Sequence, residues 1–175
     1  MSWFNQVGDI LQRYTGGSVP TTSGEAQADF AKVAEQAPQS ALAGGITEAF
    51  RSSSTPPFSE MVAQLFGHSD DGQRAGILNH LIAAAGPAAL SGGLLGQLQS
   101  ALGGGGGGGV QPAVTPEQAR QVPPEAVQQL AEHAQKNDPT IVERASAFYA
   151  QHPTLVKGLG TVAVALVMRH MSKPH

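Results

Sequence analysis

The chain has no cysteine, which removes disulfides, zinc-thiolate centres and thiol catalysis together and fits a reducing compartment. Basic residues are also scarce. Ten Lys and Arg against thirteen Asp and Glu give a formal net charge of −3, so there is no cationic footprint for nucleic acid and no indication of an anionic partner. Large aromatic anchors are few, with one Trp, two Tyr and six Phe in 175 residues. The apolar content leans on alanine, which lets helices approach closely but leaves the core short of bulk. The segment from Met1 to Asp9 lacks the basic stretch and continuous apolar run of a secretory signal. Ser2 follows Met1, and there is no Cys to acylate or prenylate, so lipidation motifs are missing as well. A cytoplasmic location is the resulting expectation.

Motifs that carry chemistry are equally sparse. No H-E-x-x-H, His-x-His, EF-hand loop, G-x-S-x-G, Ser-x-x-Lys or paired acidic motif occurs. The run Gly103–Gly109 contains G-x-G-x-x-G, but no Lys-Ser or Lys-Thr follows and no strand pattern precedes it, so it reads as a linker. One alternative is a metal-dependent hydrolase built on His68, Asp70 and Asp71, with His80 nearby. The simpler reading makes Ser69-Asp70-Asp71 a helix cap and lets His68 satisfy a helix end. His133 and His152 lie near expected helix termini in the same way, and Glu117, Glu125, Glu132 and Glu143 read as solvated helix faces. No catalytic residue, metal ligand or cofactor is therefore expected.

What the sequence does contain is a conspicuously apolar end. Between Lys157 and Arg169 nothing is charged, and Leu159, Val162, Val164, Leu166, Val167 and Met168 point every way around a helix of 3.6 residues per turn. The pattern predicts one helix over about 154–169 that must be surrounded by the chain, a second copy or lipid. Its uncharged part, 158–168, spans about 17 Å, against about 30 Å of hydrocarbon in a bilayer. A spanning role is thus disfavoured. At the other end Trp3, Phe4, Val7, Ile10, Leu11 and Tyr14 recur at three- and four-residue steps and predict an amphipathic helix over about 2–14, stopped by Thr15-Gly16-Gly17.

Between these ends the punctuation predicts further short helices. Thr22 and Glu25 read as a capping box before a helix carrying Phe30 and Val33. Pro38 separates it from one carrying Leu42, Ile46, Ala49 and Phe50, in which Gly44-Gly45 marks either a weak point or a close helix crossing. Phe58, Met61, Val62, Leu65 and Phe66 define the next. Asp70 with Gln73 can cap the one after, which carries Ile77, Leu78, Leu81, Ile82 and Ala85 and stops at Gly86-Pro87. An interrupted helix over 88–102 leads to the glycine run, whose flexible residues reach about 20 Å and would let the flanking parts move or exchange between subunits. Thr115-Pro116-Glu117-Gln118 is a strong helix start, and Pro123-Pro124 and Asn137-Asp138-Pro139 introduce two more helices. The division expected is 1–102, a linker at 103–114, and 115–175.

Two stretches echo each other. Val62, Gln64, Leu65 and His68 correspond to Val127, Gln129, Leu130 and His133, each set after a Pro-Pro pair. The echo reads either as duplication of a helical hairpin, whose units must then stack, or as chance pairing in a chain rich in Ala, Gln and Leu.

Val114-Thr115-Pro116-Glu117-Gln118, the stretch Glu125-Ala126-Val127-Gln128-Gln129-Leu130-Ala131, the proline-ended Gln151-His152-Pro153 and the N-terminal Trp3-Phe4-Asn5-Gln6-Val7 together resemble bacterial YidB-like proteins. The sequence departs from them at Lys136-Asn137-Asp138-Pro139, where the family tends to have a glycine-centred turn, and in its apolar C-terminal helix. The resemblance implies an all-helical bacterial protein of undefined biochemical role and supplies no site residues. The expectation is an all-α bundle of about nine or ten short helices in hairpins with a buried apolar C-terminal helix. Its expected function is that of a non-catalytic scaffold or interaction protein. Trp3, Phe4, Val7, Ile10, Leu11, Tyr14, Leu159, Val162, Leu166 and Met168 are the surface through which it would self-associate. Peripheral membrane association through the same two helices is the alternative, and a further protein partner is not specified by the sequence.

Overall fold

The structure, a computed structural model, describes residues 3–15, 23–89 and 114–173, and every regular element among them is helical. In chain order these are α1 (Trp3–Thr15), α2 (Ser23–Gln36), α3 (Gln39–Arg51), α4 (Phe58–His68), α5 (Asp71–Ala89), α6 (Pro116–Arg120), α7 (Pro124–Asn137), α8 (Ile141–Ala150), α9 (Pro153–Val156), a 3-10 turn (Lys157–Leu159) and α10 (Thr161–Met171). The all-α expectation holds. The Thr22 cap, residues 90–113 with most of the helix and glycine linker expected there, and the two last residues lie outside the described set.

The chain forms two compact units, one of residues 1–57 with 146–175 and one of residues 58–145. This division does not follow the glycine run. In each unit, helices from before that run pack on helices from after it: α10 on α3, α2 and α1 in the first, and α7 on α4 and α5 in the second. Apolar faces of the described helices on both sides of the run find partners across it.

In the first unit α10 makes its most extensive contact with α3. The core holds Phe30, Val33, Ile46, Ala49, Val156, Val164, Val167, Met168 and Met171, all without exposed surface. Gly44-Gly45 resolves as the close crossing. A Cβ on Gly45 would stand 2.8 Å from Val167 Cγ1 and 3.0 Å from the Val167 carbonyl oxygen, and one on Gly44 would stand 2.8 Å from His170 Nε2. Two glycines in sequence thus let the α3 backbone approach α10 more closely than any side chain would permit.

The C-terminal run departs from expectation in two ways. It is three elements rather than one helix, because Gly160 adopts φ 92° and ψ 169°, a conformation closed to most L-residues, and the chain restarts as α10. Nor is it enclosed all round. Ala163, Val164, Val167, Met168 and Met171 are buried, whereas Ala165 and Leu166 are half-buried and Val162 is 53% exposed. Helices α1, α2 and α3 cover one side of α10 and leave the other open.

The second unit follows its sequence pattern closely. Phe58, Met61, Val62, Leu65 and Phe66 of α4, Ile77, Leu78, Leu81 and Ile82 of α5, and Val127, Leu130, Ala131 and Ala134 of α7 are all buried. The echoed residues share burial as well: Val62 and Val127, like Leu65 and Leu130, are buried, while Gln64, Gln129, His68 and His133 are exposed. Two helix starts carry reciprocal caps. The Asp70 N–H donates to Gln73 Oε1 at 3.0 Å and the Gln73 N–H to Asp70 Oδ1 at 2.8 Å, while Thr115 and Gln118 form the same reciprocal box at α6. Gly86, at φ 72°, kinks α5 where Gly86-Pro87 predicts a stop.

Candidate interaction surface

The surface expected from the sequence is only partly available. The side chains of Trp3 and Phe4 lie outside the described set. Val7, Leu11, Tyr14, Leu159 and Met168, between 0% and 7% exposed, are spent on the core of their own unit. This corrects the expectation that they form a contact surface: α10 lies against α1, α2 and α3 and turns their apolar faces inward. Ile10 and Leu166 are half-buried, and Val162 alone among the described residues is a large apolar side chain in the open.

Val162 belongs to a built feature. On α10 the positions 162, 165, 166 and 169 fall on one stripe by helical spacing, and Val162, Ala165, Leu166 and Arg169 line one side of a groove of about 400 Å³. Tyr14 and Thr15 at the end of α1 face them, and Ser54, in the turn after α3, contributes from a third direction. The hydroxyls supplied by α1 are already engaged. The Tyr14 hydroxyl donates to Asp29 Oδ2 at 3.3 Å, and Thr15 Oγ1 donates to the Gln12 carbonyl at 2.9 Å. Burial, followed by the negative charge of Asp29 and its hydrogen bond, pushes the Tyr14 phenol up to about 12, so it stays a neutral donor. Arg13 lies 3.8 Å from Asp29 Oδ2. The Arg169 guanidinium, by contrast, is exposed and forms no ion pair with a described residue.

A second cluster pins the end of α10. His170 Nδ1 donates to Glu48 Oε2 at 2.5 Å, and Lys173 Nζ lies 3.4 Å from both carboxylate oxygens. Burial alone would raise the Glu48 carboxyl. The His170 hydrogen bond and the Lys173 and His170 charges outweigh it and hold the group below the usual carboxylate range. The cluster joins α3 to the end of α10 as a clasp.

The residues considered for a metal centre have structural partners. His68 Nδ1 donates to the Gln64 carbonyl at 2.9 Å, Asp70 caps α5, and Asp71 pairs with Arg120. From α5, Arg74 Nε donates to the Phe66 carbonyl at 3.0 Å and its guanidinium stacks 5.1 Å from the Phe66 ring centre. Among the described residues no three His, Cys, Asp or Glu side chains are gathered to hold a metal. His133 is exposed, and His152 packs its ring 5.0 Å from Phe148. No described helix is long and apolar enough to cross a membrane.

Sequence reasoning missed the Glu48–His170 pair, which lies across 122 positions with no local signature. It also passed over Arg169, which in the sequence is only the charged limit of an apolar run. The spacing of Val162, Leu166 and Arg169 held the signal for the groove. No family model, curated protein or solved structure matches the chain.

Proposed function

We propose that this chain is a non-catalytic helical interaction protein that self-associates through the open side of α10. One observation carries the reading: Val162 is 53% exposed on a helix whose other apolar residues are buried or half-buried, and leaving such a side chain wet forgoes up to about 1.5–3 kcal/mol. Leu166, one turn on, extends the patch. The contact is smaller than the sequence implies, because α1 contributes its apolar face to the core instead. An all-helical architecture is also what the YidB-like resemblance implies.

The test is mass by light scattering from micromolar to millimolar concentration. The wild-type chain is expected to show a concentration-dependent rise above monomer mass, and Val162→Glu to remain monomeric with an unchanged melting temperature. A wild-type chain that stays monomeric over the whole range removes the proposal.

A further inference from the structure

The α10 groove has a charge that selects an occupant, and because it shares Val162 and Leu166 with the self-association patch, a bound ligand and a second copy would compete for it. The groove of about 400 Å³ is lined along α10 by short aliphatic side chains. The wall from Val162 through Ala165 to Leu166 is aliphatic, and it ends one turn later at Arg169. The Tyr14 and Thr15 hydroxyls donate to Asp29 and to the Gln12 carbonyl, and the charged donor among the lining residues is the Arg169 guanidinium. A cationic head would be repelled there. A neutral alcohol would forgo the charge-assisted hydrogen bonds that a carboxylate makes with a guanidinium fork.

We propose that the groove binds a free acyl chain bearing a carboxylate, its head on Arg169 and its tail along Leu166, Ala165 and Val162. The volume also lies within the range of about 300–1,000 Å³ usual for small-ligand sites. Carboxylate and guanidinium fix the head, and the hydrophobic contact with the aliphatic wall sets how much chain is held.

The test titrates the full chain with dodecanoate, dodecanol and dodecyltrimethylammonium below their micelle concentrations. Heat of binding and molecular mass are followed on the same samples. Dodecanoate is expected to saturate with one molecule per chain and to bind about tenfold tighter than dodecanol, the difference made by one charge-assisted hydrogen-bond pair, with the ammonium weakest. Arg169→Gln should bring dodecanoate down to the affinity of dodecanol, and Leu166→Gln should weaken both. Equal binding of acid and alcohol by the wild type, or an Arg169→Gln chain that keeps its preference for the acid, overturns the inference. So does dodecanoate that co-floats the protein only with vesicles, which would make the occupant a bilayer. Saturable binding to a chain that is already monomeric before any ligand is added would support the ligand site while self-association fails. A dimer indifferent to dodecanoate would do the reverse.

Discussion

Glu48 and His170, 122 positions apart, share a 2.5 Å hydrogen bond that ties the last turn of α10 to α3. Lys173 adds its ammonium to the same carboxylate, so one side chain collects two partners from the C-terminal end of α10. The Glu48 carboxyl is held below its ordinary range in the folded state. Its contribution is therefore complete above the unfolded carboxylate pKa, about 4.3, and is lost as the pH falls through the lower folded value.

Glu48→Gln should accordingly lower stability by about 0.5–1 kcal/mol near neutral pH, the size appropriate to a partly exposed pair. The gap to wild type should close as the pH drops below about 4. Urea unfolding midpoints at a series of pH values measure this. A gap of constant size from neutral to acid pH would show that the carboxylate contributes through packing and not through charge.

The crossing of α3 and α10 makes a sharper prediction. In an open helical position, replacing glycine by alanine gains about 0.5–1 kcal/mol, and Gly8, where an added methyl would meet nothing within 4 Å, should behave so. At Gly45 the same methyl would meet Val167 at 2.8 Å and its carbonyl at 3.0 Å. Overpacking of that kind costs about 1–3 kcal/mol. Gly8→Ala should raise the melting temperature and Gly45→Ala should lower it; two changes of the same sign would contradict the close approach.

Tyr149 is fully buried, edge-on to Phe50 at 6.1 Å and to Phe148 at 5.4 Å, and its hydroxyl finds no hydrogen-bond partner among the described residues. Burial pushes its phenol far above the usual range. Removing an unpaired buried hydroxyl is neutral or stabilising by up to about 1–2 kcal/mol, so Tyr149→Phe is expected to melt no lower than wild type. Tyr149→Leu also gives up the edge-to-face pairs, each worth about 0.5–1.5 kcal/mol, and should melt below it. Calorimetry of the two variants separates ring from hydroxyl.

In the second unit the Asn79 amide grips the chain at Val114, where Oδ1 accepts the Val114 N–H at 2.7 Å and Nδ2 reaches its carbonyl at 3.5 Å. Asn79→Ala leaves that N–H without its acceptor and should cost about 1–3 kcal/mol. Hydrogen exchange at the Val114 amide should accelerate more than at Val127, deep in the core. Equal acceleration at both sites would show that the loss is global and not local to the grip.

Much of the helical architecture was legible because it rests on local rules. The caps at Asp70 and Thr115 need only a side chain and a backbone donor three positions apart, and the buried stripes of α4, α5 and α7 need only helical period. The partner of each stripe was not legible. Nothing near residue 45 states that Val167 will lie over it, although the paired glycines did show that something would come close. The same limit explains the misplaced contact surface. Counting the apolar side chains of α1 and α10 separately leaves both exposed, whereas packing α1 and α10 together hides Val7, Leu11, Tyr14 and Met168 and leaves Val162 outside. The break at Gly160 was hidden too, since a glycine in an apolar run reads as a weak helix residue until its φ is known.

The first unit joins residues 1–57 to residues 146–175, and this imposes an order on synthesis. While a ribosome is still making the middle of the chain, α1, α2 and α3 are already outside the exit tunnel without the helix that covers Val33 and Ile46. Residues 58–145 carry both partners of their helix contacts in one uninterrupted stretch and do not wait for the C-terminal helix. Nascent chains arrested before residue 161 should therefore be bound by chaperones and cut by protease in their first fifty residues, and release of the remaining residues of α10 should bring protection abruptly.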